Sequence, residues 1–145
     1  MAWSAQTASE SDLLEEAACH HGACFAEGEP GYCEPGLATW RYVERFDLSC
    51  LADQTDWVEW FKQEQQWAKN DGRNGYDDML DREIVEEIVV LVRDGKGYIW
   101  DGNHRVGAAF TRGQTHLKAI VGVPIPELES EIIPVAQKRH TSLSM

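Results

Sequence analysis

The sequence predicts an α+β domain, a small mixed β-sheet with flanking helices, and three observations carry that expectation. A chain of 145 residues fits one ordinary domain, because domains cluster at roughly 100–200 residues. Hydrophobic residues make up 43% and aromatic residues 10% of the chain, enough to build a core and to exclude wholesale disorder. Strand-like and helix-like patterns then alternate between residues 40 and 126, as expected of a sheet with helices packed on it. Residues 1–39 read as an acidic, cysteine-containing extension, and 127–145 as a peripheral tail.

In the extension, Ser9 and Asp12 form a capping-box start, and Leu13, Leu14, Ala17 and Ala18 continue as one apolar face, predicting a helix over 10–19. Gly22, Gly28, Pro30, Gly31, Pro35 and Gly36 follow so densely that the stretch reads as a loop or a loosely attached extension. Tyr42, Val43, Phe46 and Leu48 suit a short strand. Asp53 or Thr55 can cap a helix through Trp57, Trp60, Phe61, Gln65 and Trp67, which Asn70-Asp-Gly72 stops. Trp57, Trp60 and Phe61 share one face; they read first as core anchors and alternatively as a base-stacking or partner-binding platform. Arg73–Asp81 is turn-rich, with a helical turn carrying Met79, Leu80 and Ile84 inward. Ile88–Val92 is a buried strand, Arg93-Asp-Gly-Lys-Gly97 a hairpin turn and Tyr98–Trp100 the returning strand. A helix with Val106, Ala109 and Phe110 on one face then ends at Gly113, and Leu117–Val123 is a last strand before Pro124 and Pro126.

Charge narrows the function classes. Thirteen basic against 25 acidic residues give a net charge of -12, which disfavours nucleic acid as a partner because such affinity comes largely from phosphate neutralisation. The first residues lack the positive start and apolar run of a secretion signal, so a cytoplasmic location is expected and the cysteines read as thiols. The longest aliphatic run, Ile88–Val92, is far short of the roughly 18 residues of a membrane span, so no membrane partner is expected. Ile88–Pro126 carries five basic residues (Arg93, Lys96, Arg105, Arg112, Lys118) against two acidic ones (Asp94, Asp101), a local charge of +3.

That basic segment contains Asp101-Gly-Asn-His-Arg105 at a strand-to-helix junction. The first amides of a helix lack partners and sit at the positive end of its dipole, so a phosphate docks there readily. Gly102 permits close backbone approach, Arg105 offers a rigid fork of donors, and His104 can donate a hydrogen bond or move a proton. The plainer alternative makes Asn103 an N-cap, His104 a satisfied histidine and Arg105 a solvated charge.

With Ala108-Ala109 following, these residues resemble the signature of the ParB/sulfiredoxin superfamily, over about 40 residues from Glu83 to Val123. The resemblance implies a ParB/sulfiredoxin-like fold in which Gly102, Asn103, His104 and Arg105 hold a nucleotide such as ATP, ADP or CTP. Members include nucleotide-dependent partition proteins, sulfiredoxin, a free serine kinase and proteins described as ParB-like nucleases. Asn103 stands where sulfiredoxin has its catalytic cysteine, and nothing here reads as the basic recognition helix of a partition protein. What the resemblance leaves is phosphoryl transfer or nucleotide hydrolysis, with a non-catalytic nucleotide sensor as alternative; a nuclease is opposed by the charge. Such chemistry needs charge neutralisation and usually Mg2+. Asp101 is the expected metal ligand and, with His104, a catalytic candidate; Glu44 (or Asp47) on the first strand is the expected general base. A protein partner could engage the Trp-rich helix or the acidic extension.

Cys19, His20, His21, Cys24 and Cys33 offer zinc ligands, but the spacing lacks a Cys-x2-Cys knuckle, so they read first as thiols and histidines without metal. Cys50 reads as a core thiol. His116 and His140 receive no role.

Overall fold

The computed structural model describes residues 3–21, 25–53 and 55–128. Its helices are α1 (Glu10–Ala18), α2 (Trp57–Asn70) and α3 (Asn103–Arg112), and its strands β1 (Ala38–Asp47), β2 (Ile88–Arg93), β3 (Lys96–Asp101) and β4 (His116–Pro124). The strands form one mixed sheet in the order β1-β4-β2-β3. β4 pairs antiparallel with β1 and parallel with β2, while β2 and β3 form an antiparallel hairpin. Fold class therefore agrees with the sequence reading. Among the described residues no helix is long and apolar enough to cross a membrane.

The hairpin turn is Asp94-Gly95, with φ of 53° and 77°. Two successive left-handed residues match the right-handed twist of the strands they join. Its strand β2 is buried on both faces along Ile88–Leu91, which is why it reads as an unbroken aliphatic run. Alternate residues serve opposite layers: Ile88 and Val90 join Phe61, Val106 and Ala109 on one face, whereas Val89 and Leu91 join Leu13, Ala17 and Trp40 on the other.

Helices α2 and α3 cover the first face. Gly107 allows their close approach, since a Cβ there would lie 2.9 Å from Phe61 Cδ1. Trp57 and Phe61 are buried, in keeping with core anchors, while Trp67 at the far end of α2 is 72% exposed. The cap of α2 is Asp56, whose carboxylate accepts the Glu59 N–H at 3.1 Å. Asp53 instead accepts the Thr55 N–H at 2.9 Å, so the predicted cap moves by one to three residues.

The N-terminal segment covers the second face, and there the sequence reading needs correcting. Ser9 caps α1 by accepting the Asp12 N–H at 3.1 Å, as expected, and Leu13 and Ala17 are buried. The Gly- and Pro-rich stretch after it is fastened to the sheet rather than loosely attached. Trp100 Nε1 donates to Gly31 O at 2.8 Å, Trp40 Nε1 to Pro35 O at 2.9 Å, and Arg93 donates to Pro30 O and Tyr32 O, both at 2.8 Å. β1 accordingly starts at Ala38, four residues earlier than Tyr42, because Ala38 and Trp40 face this cover. Residues 129–145, including His140, lie outside the described residues.

Candidate functional site

The junction between β3 and α3 is built around Gly102, the N-cap of α3, at φ 109° and ψ 24°. Side chains rarely adopt that conformation, and a Cβ would sit 2.5 Å from Ile88 Cγ2. Glycine is thus required twice over, by its dihedral and by its contact with β2. Because the cap has no side chain, no side-chain hydrogen bond closes the helix start. The first intrahelical bond runs from Val106 N–H to Gly102 O at 2.9 Å, so the amides of Asn103, His104 and Arg105 precede the helical ladder. Asn103 is the first helical residue and not a cap.

The residues carrying these amides line a cleft of about 460 Å³ together with His20, Trp60, Met79, Trp100, Asp101 and Gly102, a size within the roughly 300–1,000 Å³ of small-ligand sites. Asn103 also lines a second, largely apolar cleft of about 330 Å³ with Phe25, Leu51, Trp57, Tyr98 and Ile99.

His104 is held on three sides. Its Nε2 lies 3.0 Å from Glu64 Oε1 on α2. Its ring stacks on Tyr76 at a centroid distance of 4.3 Å and 21°, and tilts against Trp60 at 5.2 Å and 37°. Tyr76 adopts φ 63°, a left-handed backbone that a bulky residue keeps only when its surroundings impose it. The carboxylate contact and the two flanking rings hold the orientation of the imidazole.

Arg105 donates from Nη1 to Glu87 O at 2.7 Å and lies 3.6 Å from Asp101 Oδ2. His20 Nε2 lies 3.7 Å from the same Asp101 oxygen and 3.7 Å from Glu16 Oε1. Asp101 is therefore a carboxylate between a guanidinium and an imidazole. The guanidinium makes this wall suited to an anion. Among the described residues no group of three or more His, Cys, Asp or Glu is placed to hold a metal; at this junction Asp101 would offer Mg2+ a single carboxylate, beside substrate phosphate oxygens and water.

Glu44 does not reach this cleft. It sits on β1, the sheet edge opposite β3, with β4 and β2 between them, about 14 Å away at three strand spacings. The Tyr42 hydroxyl donates to Glu44, and Lys118 Nζ lies 3.9 Å from it. Burial and that hydrogen bond push the Tyr42 hydroxyl up to about 12. Asp47 is likewise engaged locally, accepting the Ser49 N–H at 2.8 Å, which holds its carboxyl below the usual range.

The N-terminal cysteine and histidine group is dispersed as far as it is described. The Cys19 thiol donates to Glu15 O at 3.5 Å, and Cys33 is buried with its thiol donating to Glu34 O at 3.3 Å. His21 packs against Tyr32 and lies 3.8 Å from Glu34, while His20 turns to Asp101. Cys24 lies outside the described residues. Cys50 sits at the core edge, its thiol donating to Asp47 O at 2.8 Å, and burial pushes its pKa up.

The structure thus brings Asp101, Gly102, Asn103, His104 and Arg105 together and adds three residues that sequence reasoning did not assign here: Glu64, Tyr76 and His20. Glu64 shares a helix face with Trp60 at a spacing of four, but its partner is 40 residues away in sequence. No match to this chain is found among protein-family models, curated proteins or solved structures.

Proposed function

We propose that the cleft at the start of α3 binds the terminal phosphate of a nucleotide and supports its hydrolysis or transfer. The observation that carries this reading is the side-chain-free helix start opening into a cleft whose wall also presents Arg105 and a carboxylate-held His104. The resemblance of Gly102-Asn-His-Arg105 to a nucleotide-binding signature points the same way. Arg105 and the amides of 103–105 neutralise the phosphoryl oxygens. His104 accepts the proton of an attacking water or hydroxyl as the new P–O bond forms and the bond to the leaving phosphate breaks, and Glu64 holds the imidazole in position for that step. Glu44 is too distant to serve as base, and no step is assigned to a metal on Asp101.

A sensor reading is favoured by one observation, the exposed Trp67 on the α2 helix that also places Trp60 in the cleft and Glu64 against His104. In it the same pocket binds nucleotide without turnover while α2 contacts a protein.

Calorimetric titration with ATP, ADP, CTP and GTP, with and without magnesium, tests the site in wild type and Arg105→Ala. Loss of a charge-assisted contact predicts roughly 10- to 100-fold weaker binding in the variant. Failure of every nucleotide to bind wild type overturns the reading. Release of inorganic phosphate distinguishes the enzyme from the sensor.

A further inference from the structure

We infer that Asp101 is a built-in competitor for the anion site and restricts it to dianionic terminal phosphates, excluding phosphodiesters; this rests on the proposed phosphate site. Asp101 Oδ2 faces the Arg105 guanidinium at 3.6 Å and the His20 imidazole at 3.7 Å on that wall. The residue closes β3, pinned by its pairing with Val89, and lies two residues before the first turn of α3, where an incoming phosphate must sit. An incoming anion must therefore displace a tethered carboxylate, whose effective concentration is on the order of millimolar or above.

That exchange discriminates by charge. A phosphodiester is a monoanion and offers Arg105 and His20 no more charge than the carboxylate it displaces. A terminal phosphate carries about two charges near pH 7 and three strong acceptor oxygens, so it gains over Asp101 and reaches the helix amides as well. The displaced carboxylate stays close and repels any ligand that does not hold the Arg105 guanidinium. Ligands of the cleft are thus phosphomonoesters, nucleoside di- and triphosphates or pyrophosphate, and not the backbone of a nucleic acid.

The test titrates the full chain with sodium pyrophosphate and with dimethyl phosphate, a monoanionic diester, using calorimetry or the fluorescence of Trp60 and Trp100 at the cleft. Wild type is expected to bind pyrophosphate and not the diester. Asp101→Asn removes the charge at constant shape; it should bind pyrophosphate about fivefold tighter, the scale of a partly exposed ion pair, and acquire measurable diester binding. Wild-type affinity for the diester equal to that for pyrophosphate overturns the inference without any variant. So does an Asp101→Asn chain that unfolds at the wild-type temperature yet binds pyrophosphate no tighter. If neither chain binds pyrophosphate, the phosphate site itself falls; if wild type binds through Arg105 and Asp101→Asn gains nothing, only the competitor role falls.

Discussion

The two faces of the sheet are covered in different ways. On one, α2 and α3 lay Phe61, Val106, Ala108 and Ala109 against Ile88, Val90 and Ala119, an aliphatic layer held by buried area. On the other, α1 buries Leu13 and Ala17, and the irregular stretch 25–37 is fastened by indole and guanidinium donors that reach up from the sheet to its carbonyls. A helix satisfies its own backbone and so needs only an apolar face. A Gly- and Pro-rich segment carries unpaired carbonyls, and burying it requires partners for them. The candidate cleft lies where the two covers meet, taking His104, Arg105 and Trp60 from the helical side and His20 from the other.

If area alone holds one cover and directed hydrogen bonds fasten residues 25–37 of the other, the two should break differently. Phe61 is fully buried between the helices and the sheet, and Phe61→Ala should cost about 3–5 kcal/mol through lost burial and a residual cavity. Urea unfolding of the whole domain measures it; a loss under 1 kcal/mol would contradict the packing described. Trp100→Phe keeps a ring under the N-terminal cover but removes the donor to Gly31 O. Leaving that carbonyl unsatisfied should cost about 1–3 kcal/mol. Its signature is local: proteolytic cleavage within residues 25–37 should quicken more than global unfolding does. Equal acceleration throughout the chain would show that the cover is not held separately.

How much could be read from the sequence follows the same division. The hairpin, α2, α3 and β4 were legible because their signals are local: Asp94-Gly95 for the turn, three- and four-residue spacings for the helices, and Gly113 at φ 84° for the stop. The mode of attachment of 25–37 was not legible, since it depends on Trp40, Trp100 and Arg93 meeting carbonyls up to 69 residues away. The phosphate-site candidates Gly102–Arg105 were found by the junction they form. Glu44 was drawn to the site only because strand order cannot be read from a single strand; with β4 and β2 intervening, it belongs to the other edge. From sequence His20 reads first as a histidine without metal, with zinc as the lesser alternative because of its Cys neighbours; its contact with Asp101 joins residues 81 positions apart and has no local signal.

Arginine meets the same acceptor chemistry in two settings. Arg93, half-buried, spends its donors on carbonyls of the N-terminal cover. Arg82 makes the same kind of fork, to both oxygens of Glu86 at 2.6 and 3.3 Å, but in water, with the two side chains 57% and 42% exposed. The Arg82 guanidinium draws the Glu86 carboxyl down from 4.5 to about 2. A carboxyl whose folded value lies below its unfolded one stabilises the fold above the unfolded value, and that contribution fades as pH falls through the folded one. The window therefore runs from about 4.5 down to about 2. Solvent screening keeps the contribution of so exposed a pair small. Glu86→Gln should accordingly unfold slightly below wild type at pH 6, converge with it as pH approaches 2, and lose most of the difference in 1 M salt, where charges are screened within about 3 Å. A pH-independent difference would mean that Glu86 acts through packing, and that the fork in water is not the weak counterpart of the fork beneath the cover.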